Sequence, residues 1–406
     1  MNILQINAVG QTSSTGRNCM EIADYINNNT SHNCYTAFAQ GVSDEYGFQI
    51  GNKVEWKLHG LFSRISGKQG YFSILGTKKL IKYIDKIRPD VIHLNNLHGN
   101  FINLPILFKN INKRHIPVVI TLHDCWFYTG KCTHYTIRKC FKWKTGCSNC
   151  PQIKEDNISW FFDQTKKLWK DKNEFLTSLD LLAVVGVSNW ITSEAKLSFL
   201  KDAKIITCIY NWINLEQFSL KDTSKIRNEM NLCNKFVILG VASEWSDKKG
   251  LNSFLKIASI LKNDTFILVG KIPIIALPKN IIHINATNNV EELVNYYNVA
   301  DVFLQLSHEE TFGKVVAEAL ACGTPVITNT FTANPELVNK NSGLIIKNDD
   351  EIIDSIEQIR IKGKVFFSRN CREQAMLNFD MNDRIKDYLN IYEEIVNCSF
   401  IERKKL

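Results

Sequence analysis

Short apolar runs alternate with longer amphipathic stretches along this chain, and that alternation limits its fold more than any other feature. One series of runs falls at residues 3–7, 91–94, 118–122, 182–187 and 205–209, and a second at 237–241, 265–269, 281–284, 302–306, 325–328 and 343–346. Each has the length of a buried strand, and helical patterns lie between most of them. In 250–261, for example, Leu251, Phe254, Leu255, Ile257, Ala258 and Leu261 recur at helical spacing. Strand–helix alternation implies parallel sheets covered by helices on both faces, and two series imply two doubly wound domains. The break is expected in the polar stretch 214–231. A final helical stripe (Ile385, Tyr388, Leu389, Tyr392, Ile395, Val396) closes the chain. In such sheets ligands bind beyond the carboxyl ends of the strands, so side chains just after the runs are the first candidates for a site.

Composition narrows the class. Of 406 residues, 45% are hydrophobic and 22% charged, which suits a soluble protein with sizeable cores. No apolar run approaches the length of a membrane-spanning helix, and the first residues lack the basic start and apolar core of a signal peptide. A cytoplasmic protein is expected. The net charge of +8 is uneven: residues 53–88 carry nine Lys and Arg against two acidic residues, interleaved with Trp56, Leu61, Phe62, Ile65, Tyr71, Phe72 and Ile74. That mixture suits an anionic membrane surface, or equally a pair of helices with a basic outer and an apolar inner face. No RRM, KH or zinc-finger pattern accompanies it, so nucleic acid is not an expected partner.

The stretch richest in chemistry is 307–326, Ser-His-Glu-Glu-Thr-Phe-Gly-Lys-Val-Val-Ala-Glu-Ala-Leu-Ala-Cys-Gly-Thr-Pro-Val. Glu310 and Glu318 flank a helix start expected near Gly313, with Phe312 and Lys314 beside it. Carboxylates accept hydrogen bonds from sugar hydroxyls, and the free N–H groups of a helix N-terminus favour phosphate. Alone, two Glu at this spacing are usually solvated surface charge. In the first loop, Gly10 and Gly16 are expected to allow a tight turn before a helix beginning near Arg17; the pattern is neither Gly-x-Gly-x-x-Gly nor a P-loop. His123 and Asp124 follow the run 118–122, and Asn95, Asn96 and His98 follow 91–94. Lys248-Lys249-Gly250 follows 237–241, where an ammonium can neutralise a phosphate as charge grows on a leaving group. Cys132, Cys140, Cys147 and Cys150 sit in an insertion at 130–152. They are candidate ligands for a structural zinc ion in a segment without a core of its own, with free thiols or disulfides as the alternatives.

Taken whole, 307–326 resembles the signature of the family 4 retaining glycosyltransferases, in which Glu-x7-Glu is followed by Ala-x-Ala-x-Gly-x-Pro-Val. The resemblance implies the GT-B fold: two facing Rossmann-like domains with a cleft between them. The acceptor-side domain would span 1–212, the nucleotide-sugar-binding domain 213–380, and a helix over 381–406 would cross back to the first. It implies transfer of a sugar, with retention, from a nucleotide-sugar donor to an acceptor hydroxyl, as in bacterial colanic acid, O-antigen or capsule synthesis. A lipid-linked oligosaccharide at the inner membrane face is the implied acceptor, and no cofactor is required for catalysis. Catalytic roles fall to Glu310, His123 and Lys249. Donor contacts fall to Gly16, Lys248, Phe312, Gly313, Lys314 and Glu318, with Glu310 on the transferred sugar and Glu318 on the ribose. Asn95, Asn96, His98 and Asp124 would line the acceptor side. Two departures stand out. Glu244 holds the place of the family's Arg, and Trp212 and Asn214 replace its Gly and Asp at the domain junction. The same fold serves nucleotide-sugar epimerases and phosphorylases, and a catalytically idle membrane scaffold is the alternative of a different class.

Overall fold

A computed structural model of the chain, describing residues 1–41, 47–287 and 289–403, turns the apolar runs into two parallel sheets. The chain divides into unit 1, Met1–Ile209 with Ile385–Leu406, and unit 2, Tyr210–Arg384. Unit 1 holds β1 (Asn2–Val9), β2 (Asn33–Gln40), β3 (Gly47–Gln49), β4 (Val91–Leu94), β5 (Val118–Leu122), β6 (Leu182–Gly186) and β7 (Ile205–Cys208), in the order β3-β2-β1-β4-β5-β6-β7. Its helices are α1 (Ser14–Asn29), α2 (Lys53–Ser66), α3 (Ile74–Ile87), α4 (Leu104–Arg114), α5 (Thr165–Thr177) and α6 (Asn189–Lys196). Unit 2 begins with α7 (Ser224–Glu229) and continues through β8 (Val237–Glu244), α8 (Leu251–Ile260), β9 (Thr265–Lys271), β10 (Ile281–Ile284) and α9 (Val290–Val299). Then come β11 (Val302–Gln305), α10 (Lys314–Ala321), β12 (Val326–Asn329), β13 (Gly343–Ile346), α11 (Glu351–Lys362) and α12 (Lys364–Phe379), and the sheet order is β10-β9-β8-β11-β12-β13. Each sheet reverses its winding beside its first strand, between β1 and β4 and between β8 and β11. That is the Rossmann arrangement, which leaves a crevice at the carboxyl ends of the strands.

The central strands β4 (VIHL), β5 (VVITL) and β6 (LAVVG) are buried at every residue. Such continuous runs, rich in branched side chains, belong to sheets covered on both faces. β2 has no such signal, because Asn, Thr and Gln interrupt its apolar residues. It forms because β1 pairs with it from Asn2↔Asn33 to Val9↔Gln40, which buries Cys34, Ala37 and Phe38.

The closing helix is α13 (Met381–Arg403), whose residues from Ile385 onward belong to unit 1. Ile385, Tyr388, Tyr392 and Ile395 are buried there, each worth about 1.5–3 kcal/mol of apolar burial. Their phenols are satisfied from the sheet: Tyr388 Oη lies 3.1 Å from Thr121 Oγ1, and Tyr392 Oη 2.7 Å from His93 Nδ1. Positions 404–406, the end of the expected helix, lie outside the described residues. Residues 210–218, read from the sequence as a junction, pack inside unit 2. Ile213 N donates to Phe379 O (3.0 Å), and Arg372 donates to the carbonyls of Leu215 (2.9 Å) and Phe218 (2.5 Å). Among the described residues no helix is long and apolar enough to cross a membrane.

Candidate active site

In unit 2 the chemistry gathers at the carboxyl ends of the neighbouring strands β8, β11 and β12. The turn after β8 closes at Gly250 with φ of 79°. A Cβ there would lie 2.6 Å from Leu306 Cβ, so only glycine lets this turn pack against the end of β11. The close approach allows Lys248 O to accept from His308 N (2.9 Å) and brings Lys249 Nζ within 2.5 Å of Glu310 Oε1. Glu310 is anchored from β12 as well, because its N donates to Thr332 Oγ1 (2.9 Å). Asn329 and Asn334 both donate their side-chain amides to Ser307 O, at 3.0 and 2.8 Å. The loop carrying Glu310 is thus held from three strands.

Helix α10 starts behind Gly313 (φ 88°) without a side-chain cap, and Val316 N donates to Gly313 O (2.9 Å). Phe312 is 2% exposed, with its ring 5.4 Å from Phe379 and 6.0 Å from Tyr210, centroid to centroid. Its side chain is therefore packed inside unit 2. Glu318 lies about a turn inside the helix, is 9% exposed, and accepts from Tyr297 Oη at 2.8 Å. Burial, and then the Glu318 carboxylate, holds the Tyr297 phenol well above its ordinary range, so it stays a donor. Below the helix start, Gln305 Nε2 is buried without a hydrogen-bond partner among the described residues, 3.4 Å from where a Cβ on Gly313 would sit. Lys248 and Glu244 are exposed, and Lys314 is half-buried.

In unit 1 the residues after β4 and β5 come together in pairs. His123 Nε2 lies 2.8 Å from Asn95 Oδ1, and His98 Nε2 2.8 Å from Asp124 Oδ2. Burial pulls the His98 pKa down, but the Asp124 carboxylate outweighs it and the net shift is upward. Burial raises that of Asp124, and His98 and the Trp126 N–H outweigh it downward. Asn96 joins through its backbone, its N donating to Asn7 Oδ1 (2.9 Å).

Gly16 corrects the sequence expectation. The helix begins at Ser14, not near Arg17, and the Ser13 hydroxyl caps it by accepting from Gly16 N (3.0 Å). Gly16 therefore lies inside α1, where a Cβ would meet Gly10 O at 1.9 Å. Its role is close approach of helix to loop rather than a bend.

Among the described residues no group of three or more His, Cys, Asp or Glu side chains is placed to hold a metal ion. Cys132 and Cys150 pair with each other, Cys147 Sγ accepts from Gly130 N (3.2 Å), and none of the four, Cys140 included, forms a disulfide. Lysines staple the insertion. The buried Lys131 ammonium donates to the carbonyls of Asp156 (2.6 Å) and Ile153 (3.2 Å), and buried Lys172 donates to Trp126 O and lies 4.0 Å from the Trp126 ring centroid.

Two family models match. Residues 35–217 match Glycosyltransferase Family 4, and residues 234–360 match Glycosyl transferases group 1. The chain belongs to the family 4 glycosyltransferases. Its two Rossmann-like units are those of a GT-B glycosyltransferase, and its activity is glycosyl transfer. Among curated relatives, the glycosyltransferase is 26% identical to an uncharacterized 41.2 kDa protein in the cps region of Klebsiella pneumoniae, over 82% of this chain and 86% of that one. It is 22% identical to the putative colanic acid biosynthesis glycosyl transferase WcaC of Escherichia coli K12, over 76% of this chain and 77% of WcaC. Among solved structures, Anabaena Alr3699/HepE in complex with UDP matches with a TM-score of 0.68 at 16% identity, over 97% of this chain and all (100%) of that one.

Tyr297, Thr332 and Gln305 carry no sequence signal. Tyr297 stands 21 residues from the Glu318 it serves, and Thr332 stands 22 from Glu310.

Proposed function

We propose that this glycosyltransferase moves a sugar, with retention of anomeric configuration, from a nucleotide-sugar donor to a lipid-linked oligosaccharide in bacterial surface polysaccharide synthesis. The Lys249–Glu310 ion pair at the start of α10 carries this reading, because it joins a cation for phosphate and an acceptor for hydroxyls at one point. Glu310 takes hydrogen bonds from the transferred sugar, and Glu318 from the ribose. Lys249, Lys248 and the N–H groups of Phe312, Gly313 and Lys314 stabilise negative charge on the diphosphate as the bond to the anomeric carbon lengthens. The departing phosphate takes the acceptor proton, so neither a side-chain nucleophile nor a metal is required. His123, steadied by Asn95, contacts the transferred sugar, and Asn96, His98 and Asp124 border the acceptor. Gly16, where α1 approaches the first loop too closely for a side chain, is assigned to the donor diphosphate. The UDP named for HepE and the colanic acid pathway named for WcaC support the donor class and the setting.

A thermal-shift screen against UDP, GDP, ADP and their sugar conjugates tests it, since a ligand that binds only the folded form raises Tm by mass action. The expected result is a shift with one nucleotide family that Lys249→Ala removes. No shift with any of them, together with no sugar transfer from any conjugate to membrane lipid extracts, rejects the reading.

A further inference from the structure

Helix α2 carries its apolar side chains on the outside. Of its 14 residues it buries His59 and Ser63, both polar. Val54 (67%), Leu58 (47%), Leu61 (42%), Phe62 (46%) and Ile65 (36%) are exposed. Polar contacts hold the helix in place. His59 Nδ1 lies 2.7 Å from Ser73 Oγ while its Nε2 accepts from Gly70 N (3.2 Å); Glu55 accepts from Gly76 N (2.9 Å); Trp56 Nε1 donates to Ile50 O (2.9 Å). The neighbouring α3 buries Leu80, Ile81 and Ile84 in the ordinary way. A basic outer and apolar inner face thus describes α3 and not α2. The exposed patch runs on to Leu75 of α3 (70%), which borders one cavity with Leu58 and Phe62, and Phe161 (69%) is exposed in a loop tied to the end of α2 by Trp160 N donating to Arg64 O (2.6 Å). Contiguous apolar surface of this kind marks a binding face.

Two cavities flank the helix. One, of about 810 Å³, is bordered by Lys53, Trp56, Lys57 and Arg64, with Thr12 and Asn100 from the loops after β1 and β4. No acidic side chain is among the described residues lining it. The other, of about 870 Å³, is bordered mainly by apolar groups, including Leu58, Phe62, Phe72 and Leu75. Helical spacing separates the two: positions 53, 57 and 64 share one face, and 54, 58 and 62 the next. A soluble anion would use only the first cavity, and an uncharged apolar chain only the second. An occupant that uses both has an anionic phosphate head and an apolar tail.

We propose that α2 is the binding site for a phosphate- or pyrophosphate-headed lipid, its head against Lys53, Lys57 and Arg64 and its chain along Leu58, Phe62, Phe72 and Leu75. Calling that lipid the acceptor rests on the transferase reading above; the binding itself does not. Calorimetry on the full chain would compare farnesyl pyrophosphate, inorganic pyrophosphate and farnesol, using wild type, Lys57→Glu/Arg64→Glu and Leu58→Ser/Phe62→Ser. All four positions are exposed, so the fold should survive. Farnesyl pyrophosphate should bind at least about tenfold tighter than either fragment, a modest return for burying one apolar chain. The charge-reversed variant should lose it. The serine variant should bind it no better than pyrophosphate. Equal affinity for pyrophosphate and farnesyl pyrophosphate, or indifference to the serine variant, overturns the proposal. So does wild-type binding to phosphatidylglycerol-containing vesicles that farnesyl pyrophosphate does not compete, which would mark a plain bilayer-docking face. A UDP thermal shift run on the same samples keeps the two readings apart: lost lipid binding with an intact UDP shift refutes this site alone.

Discussion

Removing one oxygen atom from Tyr297 tests how unit 2 holds its second carboxylate. Tyr297 is fully buried (0% exposed), and its hydroxyl donates to Glu318 Oε2 at 2.8 Å. Its ring lies among Phe218 and Phe303, with centroids 6.2 and 5.7 Å away, so Tyr297→Phe keeps the packing and deletes only the donor. A hydrogen bond to a charged group contributes about 1.5–3 kcal/mol net. The gap left by a hydroxyl is too small for a water molecule, and a close-packed interior does not rearrange to supply another donor. The expected loss is therefore ~2 kcal/mol, in the middle of that range. Glu318→Gln keeps the size and an acceptor oxygen but removes the charge. If the two groups act as one, the double variant should lose less than the sum of the singles, by about 1–2 kcal/mol. Urea unfolding of the four proteins, followed by far-UV circular dichroism, gives the cycle, and nucleotide titration of the same samples gives the functional cost. A destabilisation under about 0.5 kcal/mol, the size of an ordinary surface substitution, with unchanged nucleotide affinity would refute the claim that Tyr297 positions Glu318.

Lys249→Ala should cut sugar transfer by a factor of about 10²–10³, as losing a donor at developing charge does, and Glu310→Gln by about 10–100-fold, as weakening hydrogen bonds to a charged acceptor worth about 1.5–3 kcal/mol does, while circular dichroism stays native; activity within about twofold of wild type in either removes the pair from the mechanism. At His98–Asp124 the raised imidazole pKa means the pair stabilises unit 1 fully below the ordinary His value of about 6.5, and that contribution fades as pH rises through the raised value. The lowered Asp124 pKa sets the other edge, where the contribution is lost as pH falls through it. An NMR titration should find His98 above the ordinary range in wild type and no longer raised in Asp124→Asn; no difference between the two contradicts the pairing. His59 and His93 act with the opposite sign, because burial pushes them down to about 4 and about 3. Below about pH 6.5 the unfolded chain takes up their protons and the folded one does not, so each should lower stability by up to about 1.4 kcal/mol per pH unit down to its own folded value. Urea midpoints that stay flat across that range reject both burials.

The sequence made the two-sheet plan legible because strands buried on both faces read as short continuous apolar runs, unlike the spaced stripes of the helices between them. β4, β5 and β11 could be bounded to within a residue or two for that reason. β2 and β3 could not, because pairing rather than their own composition makes them strands, β2 on β1 and β3 on β2. The same division applies to the site. Glu310, Lys249 and His123 were visible because each follows the carboxyl end of a strand. What steadies the site was not, since Thr332 meets Glu310, Asn95 meets His123 and Tyr297 meets Glu318 only through the fold. Spacing in the chain brings Cys132, Cys140, Cys147 and Cys150 into one insertion, and only the fold pairs Cys132 with Cys150. There, two buried lysine ammonium groups bind the carbonyls that hold the segment together.

Glu244 shows how the charge in unit 2 has to be arranged. It ends β8 where the family pattern has an Arg, it is exposed, and it stands in register with Lys271 of β9. A carboxylate there cannot neutralise a diphosphate, so in the proposed reaction the work falls on Lys249, Lys248 and the uncapped start of α10. Lys249 is already committed to Glu310 at 2.5 Å. That commitment has a use. Each partner keeps the other from facing the crevice unpaired, which would be costly for two partly buried charges. A donor brings substitutes for both: its diphosphate is the stronger anion for Lys249, and its sugar hydroxyls are donors for the Glu310 oxygen that Lys249 gives up. A nucleotide without a sugar supplies only the first half of the exchange and leaves Glu310 short of a partner. A nucleotide sugar supplies both. In the proposed reaction one ion pair thereby links recognition of the phosphates to recognition of the sugar, without the arginine that the family pattern places at residue 244.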